Sequence, residues 1–204
     1  MIIKLYEENT NQRDLETVLE VIRKDGVVIF PTDTVYGIGC DIYNTKAVER
    51  VARLKGLNIK KADFSFIVAD LSNLSEYTQQ VDNQTFKLLK KNLPGPFTFI
   101  LPASSKVPKL FKNNKKTVGL RIPDHPILHT IVKTYGSPLL TTSVIDDDDV
   151  LEYTTDPELI HEKYKDIVDL VIDGGYGKNV ASTVVNCTGS EPEIIRQGVG
   201  ELIY

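Results

Sequence analysis

Residues 27–44 read VVIFPTDTVYGIGCDIYN, and the order of chemistries in that stretch decides the fold. Val27, Val28, Ile29 and Phe30 form a short apolar run with β-branched residues, the pattern of a buried strand. Pro31 has no N–H to give to a sheet ladder, so the strand ends or meets an edge there. Thr32, Asp33, Thr34 and Tyr36 follow, three hydroxyls and a carboxylate in five residues. Gly37 and Gly39 flank Ile38, where a backbone without Cβ can turn tightly or approach a ligand closely. Cys40, Asp41, Ile42 and Tyr43 resume an alternating pattern. The reading is a strand, a polar corner and a second strand. Such a corner can seat a small polar ligand on rigid strands, and its Thr and Asp side chains can equally bond their own turn.

Outward from that stretch, Ile2–Tyr6 predicts a strand, and Leu15, Val18, Leu19 and Ile22 recur at helical spacing with Gly26 closing the helix. Thr45 caps a second helix that turns Val48, Val51 and Ala52 inward and ends at Gly56. Residues 57–63 read as a loop, Phe64–Val68 as a strand, and Asp82 as the cap of a helix with Phe86, Leu89 and Leu93 on one face. Strands are expected over Phe97–Leu101, Thr117–Ile122 and Leu139–Ser143, with a helix over His125–Tyr135. Asp146–Asp149 form an acidic loop, and a helix near 156–165 precedes strands near 168–172, 183–187 and 193–197. Strands and helices mix without strict alternation. The expected class is therefore α+β (mixed α/β), a large twisted mixed sheet flanked by helices. With no internal repeat and no linker, residues 1–204 read as a single domain.

Hydrophobic residues make up 41% and charged residues 25% of the 204 positions, the balance of an ordinary globular protein. A net charge of −4 does not draw polyanions, so a nucleotide or RNA site has to be a local basic cluster. Cys40 and Cys187 lack zinc-type spacing and read as reduced core thiols of a cytoplasmic protein. The MIIKLYEENT opening is too short and charged for a signal peptide, and no apolar run approaches the length of a membrane span.

PTDTVYGIGCD at 31–41 resembles the opening motif of the YrdC/YciO-like family, whose best-known members are L-threonylcarbamoyladenylate synthases. KG at 55–56, NLPGPFTFIL at 92–101, VGLRIPDHP at 118–126, LLTTS at 139–143, ASTVVN at 181–186 and IIRQGVG at 194–200 follow in that family's order. The resemblance spans nearly the whole chain, and KKADFSFI looks most like the YciO-type branch. It implies a YrdC-like three-layer fold whose curved sheet encloses a deep cleft. It also implies a nucleotidyltransferase that converts L-threonine, bicarbonate and ATP, with Mg2+ expected, into threonylcarbamoyl-adenylate and pyrophosphate. That product serves threonylcarbamoyladenosine modification of tRNA. The alternative is a protein of the same fold that binds tRNA or double-stranded RNA, or senses a nucleotide, with weak or no synthase activity.

Particular residues carry these expectations. Lys55 ends a helix, where a cation is favourable in its own right, with Lys60 and Lys61 beyond it. By resemblance Lys55 belongs to a Lys-x-Arg motif that contacts the triphosphate, with Leu57 standing at the arginine position. Arg121 interrupts an apolar strand, which is costly unless it faces a polar cleft or a partner. By resemblance it grips the threonine carboxylate, and its planar fork suits a bidentate contact. The resemblance assigns threonine binding to Thr32, Asp33, Thr34, Tyr36, Arg121 and Ser182. It assigns nucleotide binding to Lys55, Lys60, Lys61, Thr141, Ser143, Thr183 and Arg196, and makes Lys55, Arg121 and Ser143 the catalytic set. The family's Ser-x-Asn becomes Ser143, Val144, Ile145 here. His125 and His129 share an i, i+4 spacing but lack a third ligand, so no metal site is expected.

Overall fold

The computed structural model describes residues 1–6, 10–56, 64–108, 116–144 and 152–204. In chain order the elements are β1 (Ile2–Lys4), α1 (Gln12–Arg23), β2 (Val28–Phe30), β3 (Gly37–Asp41), α2 (Thr45–Leu54), β4 (Ser65–Ile67) and α3 (Leu74–Tyr77). These are followed by α4 (Asn83–Asn92), β5 (Phe97–Pro102), β6 (Thr117–Arg121), α5 (Pro126–Tyr135) and β7 (Leu139–Ser143). The chain closes with α6 (Glu152–Thr155), α7 (Pro157–Tyr164), β8 (Leu170–Asp173), β9 (Thr183–Asn186) and β10 (Glu193–Arg196). The strands form one sheet in the order β1-β8-β2-β3-β7-β4-β6-β5-β9-β10. It is mixed, as the irregular alternation of elements implied. The β1–β8, β2–β8, β4–β6 and β5–β9 pairs run parallel and the others antiparallel.

Because side chains alternate across a strand, each strand feeds two cores. Ile29, Ile38, Cys40, Leu140, Phe66, Leu120, Phe99 and Val185 meet Ala47, Val48, Val51 and Ala52 of α2 and Leu88 and Leu89 of α4 on one face. On the other face Val28, Phe30, Leu139, Leu170 and Ile172 meet Leu15, Val18, Leu19 and Ile22 of α1 and Ile127, Leu128, Ile131 and Val132 of α5. Among the described residues this second layer covers only the β1-to-β7 side and reaches as far as Ile67 of β4. On the β6, β5, β9 and β10 side the same face borders open space. That uncovered half of the sheet is the cleft.

Local chemistry moved several boundaries. The cap of α2 is Asn44, one residue before Thr45, because its side chain accepts the Ala47 N–H at 3.0 Å. In α4 the buried face is Leu88, Leu89 and Asn92, while Phe86 is left 37% exposed. Asn92 draws that face inward: its amide donates to the carbonyls of Leu88 and Ile203 and accepts the Ile203 N–H. The left-handed residue after α1 is Asp25, at φ 65°, and not Gly26. Gly26 is needed for space, since a Cβ there would lie 2.4 Å from the Val21 carbonyl oxygen.

Candidate functional site

β2 and β3 hold the corner anticipated from residues 31–36. The Phe30 ring lies against β3, so a Cβ on Gly37 would stand 2.6 Å from the ring and 2.9 Å from Thr141 Oγ1. Gly37 and Gly39 thus make room for an aromatic ring and a neighbouring strand; neither has a left-handed backbone.

The hydroxyls beyond the ring are ordered by their donors and acceptors. Thr32 Oγ1 donates to the Val35 carbonyl at 2.7 Å and accepts the Thr34 N–H at 3.0 Å. Thr34 Oγ1 accepts from Arg121 Nη2 at 2.9 Å, so its own proton points to Thr32 Oγ1, 3.1 Å away. Arg121, the last residue of β6, also donates from Nη2 to Asp33 Oδ1 at 3.2 Å. The second oxygen of Asp33 accepts the Asp124 N–H at 3.1 Å. Asp33 therefore ties the corner to the end of β6. Burial lowers the pKa of Arg121; the Asp33 carboxylate opposes that shift and the positive charge of Arg196 adds to it. The buried Nε–H of Arg121 meets no acceptor among the described residues.

A trough of about 940 Å3 runs over the uncovered strands; Arg196 lines it, whereas Arg121, Thr32, Asp33, Thr34, Thr141, Ser143 and Ser182 are not among its lining residues. Its floor follows from alternation: Thr98, Ile100 and Pro102 on β5, Thr117 and Gly119 on β6, Val184 and Asn186 on β9. Its volume lies within the range of small-molecule sites. Lys116 and Arg196 line it, and among the described residues that line it there is no carboxylate. The site therefore favours anions.

Arg196 owes its place to a β-bulge. Ile194 pairs with Val185 and Arg196 with Val184, leaving Ile195 as the extra residue on β10. Were the same residues paired without a bulge, Ile195 would take Val184 and Arg196 would fall opposite Thr183, turned to the other face. With it, Ile195 and Arg196 both line the trough. Arg196 Nε and Nη2 donate to the Ser182 carbonyl at 3.2 and 2.8 Å, and Ser182 Oγ lies 2.9 Å from Thr98 Oγ1.

The structure thus brings Thr32, Asp33, Thr34 and Arg121 together, and joins Ser182 to Arg196. Thr141 and Ser143 of β7 pair with Gly39 and Gly37 on the same side of the sheet. Tyr36 is fully buried in the core, where its hydroxyl donates to the Gly175 carbonyl at 2.7 Å and accepts the Gly174 N–H at 3.3 Å. Burial raises its pKa further. The Thr183 hydroxyl is likewise committed, donating to the Gly200 carbonyl at 2.7 Å and accepting the Gly198 N–H at 3.0 Å. Neither Tyr36 nor Thr183 is among the residues lining the trough, and their hydroxyl protons are committed to these carbonyls.

Lys55 is the C-cap of α2, whose core residues pack on the covered face of the sheet, and it is not among the residues lining the trough. Lys60, Lys61, Leu57, Ile145 and the Asp146–Asp149 loop lie outside the described residues. His125 is the N-cap of α5 and His129 lies within it. Among the described residues no group of three or more His, Cys, Asp or Glu could hold a metal, and no helix is long and apolar enough to cross a membrane. Sequence reading passed over Thr98, Lys116, Asn186 and Ile195. Alternation from Arg121 would have marked Thr117 and Gly119 as its companions; the bulge had no signal.

Residues 20–198 match the family described as telomere recombination, that of Sua5, YciO and YrdC. The uncharacterized protein YciO of Escherichia coli is 38% identical over 200 residues, covering 97% of this chain and 95% of that one. Its crystal structure superposes with a TM-score of 0.90, covering 98% and 97% of the two chains. Threonylcarbamoyl-AMP synthase of Bacillus subtilis is 31% identical over 196 residues, 94% of this chain and 55% of that longer one. P. abyssi Sua5, solved as a complex with L-threonine, is 28% identical with a TM-score of 0.87, covering 97% of this chain and 57% of its own.

Proposed function

The chain belongs to the Sua5, YciO and YrdC family, and from that premise we propose that its cleft makes threonylcarbamoyl-AMP from L-threonine, bicarbonate and ATP. The observation that carries this reading is the state of Arg121. Its guanidinium is buried and anchored through Nη2 to Asp33 and Thr34, yet its Nε–H is left without an acceptor, on the face of β6 whose Thr117 and Gly119 line the trough. An unsatisfied buried donor of this kind costs about 1–3 kcal/mol. A ligand carboxylate relieves that cost, and the threonine bound in P. abyssi Sua5 carries one.

In this reading Arg121 holds the amino-acid carboxylate and the Thr32–Thr34 corner fixes the angle of approach. The threonine amine condenses with bicarbonate, losing water, to give a carbamate. A carbamate oxygen then attacks the α-phosphorus of ATP; the new O–P bond forms as the α,β-bridging bond breaks, and pyrophosphate leaves. Arg196 with Ser182 lines one part of the nucleotide side and Thr141 and Ser143 of β7 another, and Lys55 with Lys60 and Lys61 adds positive charge for the polyphosphate. Such a transfer needs orientation and charge neutralisation more than a protein nucleophile. In this reading the ion enters with the phosphates as MgATP. The product then serves modification of a tRNA adenosine.

The test is to incubate the purified protein with L-threonine, 13C-bicarbonate and MgATP and to identify the product by mass. Appearance of 13C-labelled threonylcarbamoyl-AMP with an equal amount of pyrophosphate supports the reading. ATP consumption without that adduct contradicts it.

A further inference from the structure

The trough has a direction, and its far end carries a cation that none of the family motifs includes. Arg121, Thr98, Val184 and Arg196 lie in one row across the sheet, given the registers of β6 with β5, β5 with β9 and β9 with β10. Lys116 lies five residues back along the chain from Arg121, about 16 Å at about 3.3 Å per residue. It is exposed, lines the trough, and makes no ion pair with a described residue. Its φ of 52° is left-handed, uncommon for a residue with a side chain. Its carbonyl accepts the Ala103 N–H at 2.8 Å, which holds that turn against the end of β5. β4 runs parallel to β6 with Ser65 opposite Gly119, so Phe64 and Ser65 flank this same end of the trough.

Displacement at phosphorus sets attacking and leaving oxygens roughly in line. If the carbamate attacks from the Arg121 row, the leaving group departs from the opposite side of the α-phosphorus. The open direction is down β6 toward Thr117 and Lys116. Resting on the synthase reading, the geometry points to Lys116 as the cation that receives the departing pyrophosphate. As the α,β-bridging bond breaks, its electron pair stays on the bridging oxygen of pyrophosphate, and the Lys116 ammonium offsets the charge that gathers there. No proton transfer is required. Lys116 thereby supplies at the trough wall the charge that Leu57 withholds from the Lys-x-Arg position.

The experiment is calorimetric titration with two probes, magnesium pyrophosphate and AMP, on the parent protein, Lys116→Gly and Lys116→Arg. Glycine suits the left-handed turn, so the charge is removed without backbone strain; thermal melting checks that each variant is folded. The expected result is a pyrophosphate affinity weakened about tenfold or more in Lys116→Gly, the scale of one charge-assisted contact. AMP affinity stays unchanged, and Lys116→Arg retains pyrophosphate binding. Equal pyrophosphate affinity in parent and Lys116→Gly overturns the inference, as does a parallel loss for AMP or a parent that binds no pyrophosphate. Failure of the synthase reading is seen separately, as absence of adenylate product from the parent protein.

Discussion

Arg121 Nη2 stands 3.2 Å from Asp33 Oδ1, an ion pair in which both side chains are less than a tenth exposed. Both charges lost their hydration on folding, so the pair is weak evidence of stability, but removing one partner strands the other. Asp33→Ala is expected to cost about 3–5 kcal/mol in urea unfolding. Asp33→Ala with Arg121→Met, which removes both charges, should cost less than the single change. A double variant as unstable as the sum of the two singles would show that the two residues do not act as a pair.

Phe30 and Gly37 make a second coupled pair. A Cβ at 37 would press on the Phe30 ring at 2.6 Å. Gly37→Ala should therefore destabilise by about 1–3 kcal/mol, the usual cost of overpacking. Phe30→Leu in the same chain should return part of that loss. Additive losses in the double variant would mean that Thr141, 2.9 Å from the same added atom, sets the limit instead.

Arg196→Ala removes the cation that the bulge places on the trough face while leaving the register of β10 unchanged. ATP affinity, measured by calorimetry, should fall about tenfold or more, as for loss of a charge-assisted contact. Ile195→Ala keeps the register and should leave affinity nearly unchanged. Equal losses in both variants would show that the effect is not specific to the Arg196 charge.

Much of this arrangement was legible before the coordinates, for physical reasons that differ by element. Leu139–Ser143 was placed to the residue because a two-residue apolar start and a hydroxyl end mark both of its limits. The corner at 32–34 was legible because few other stretches pack hydroxyls and a carboxylate so closely behind a buried strand. The four-residue helices α3 and α6 were not, since four residues show less than two turns of periodicity. Asn44 was overlooked in favour of Thr45 because both are good caps and only the backbone decides between them. The resemblance assigned ligand binding to Tyr36 and Thr183; the hydrogen bonds that occupy their hydroxyls come from residues 139 and 17 positions away, which local sequence does not show. The cleft wall at Lys116 and Asn186 depends on sheet order, which local sequence does not carry.

The two thiols provide a pH test. Burial, with smaller contributions from nearby carboxylates, pushes Cys40 up to about 12 and Cys187 up to about 11. Iodoacetamide at pH 8 should therefore leave both unmodified in the native protein and modify both in denaturant, because the thiolate is the reacting form. The sign for stability follows. The native state keeps these protons while the unfolded state releases them near the ordinary thiol value, so this contribution is full below that value and shrinks as pH rises above it. Rapid native alkylation of either thiol at pH 8 would contradict its burial.

The most direct measurement is exchange of labelled pyrophosphate into ATP, which reports reversible formation of an adenylate in the intact site. The account predicts exchange only when L-threonine and bicarbonate are both present. It also predicts that Arg121→Ala loses exchange at subsaturating threonine, since losing one member of a buried charge-assisted contact costs about 2–5 kcal/mol. Exchange with threonine alone would indicate a threonyl-adenylate, in which no carbamate is made. No exchange with both substrates and MgATP present would contradict the synthase assignment itself.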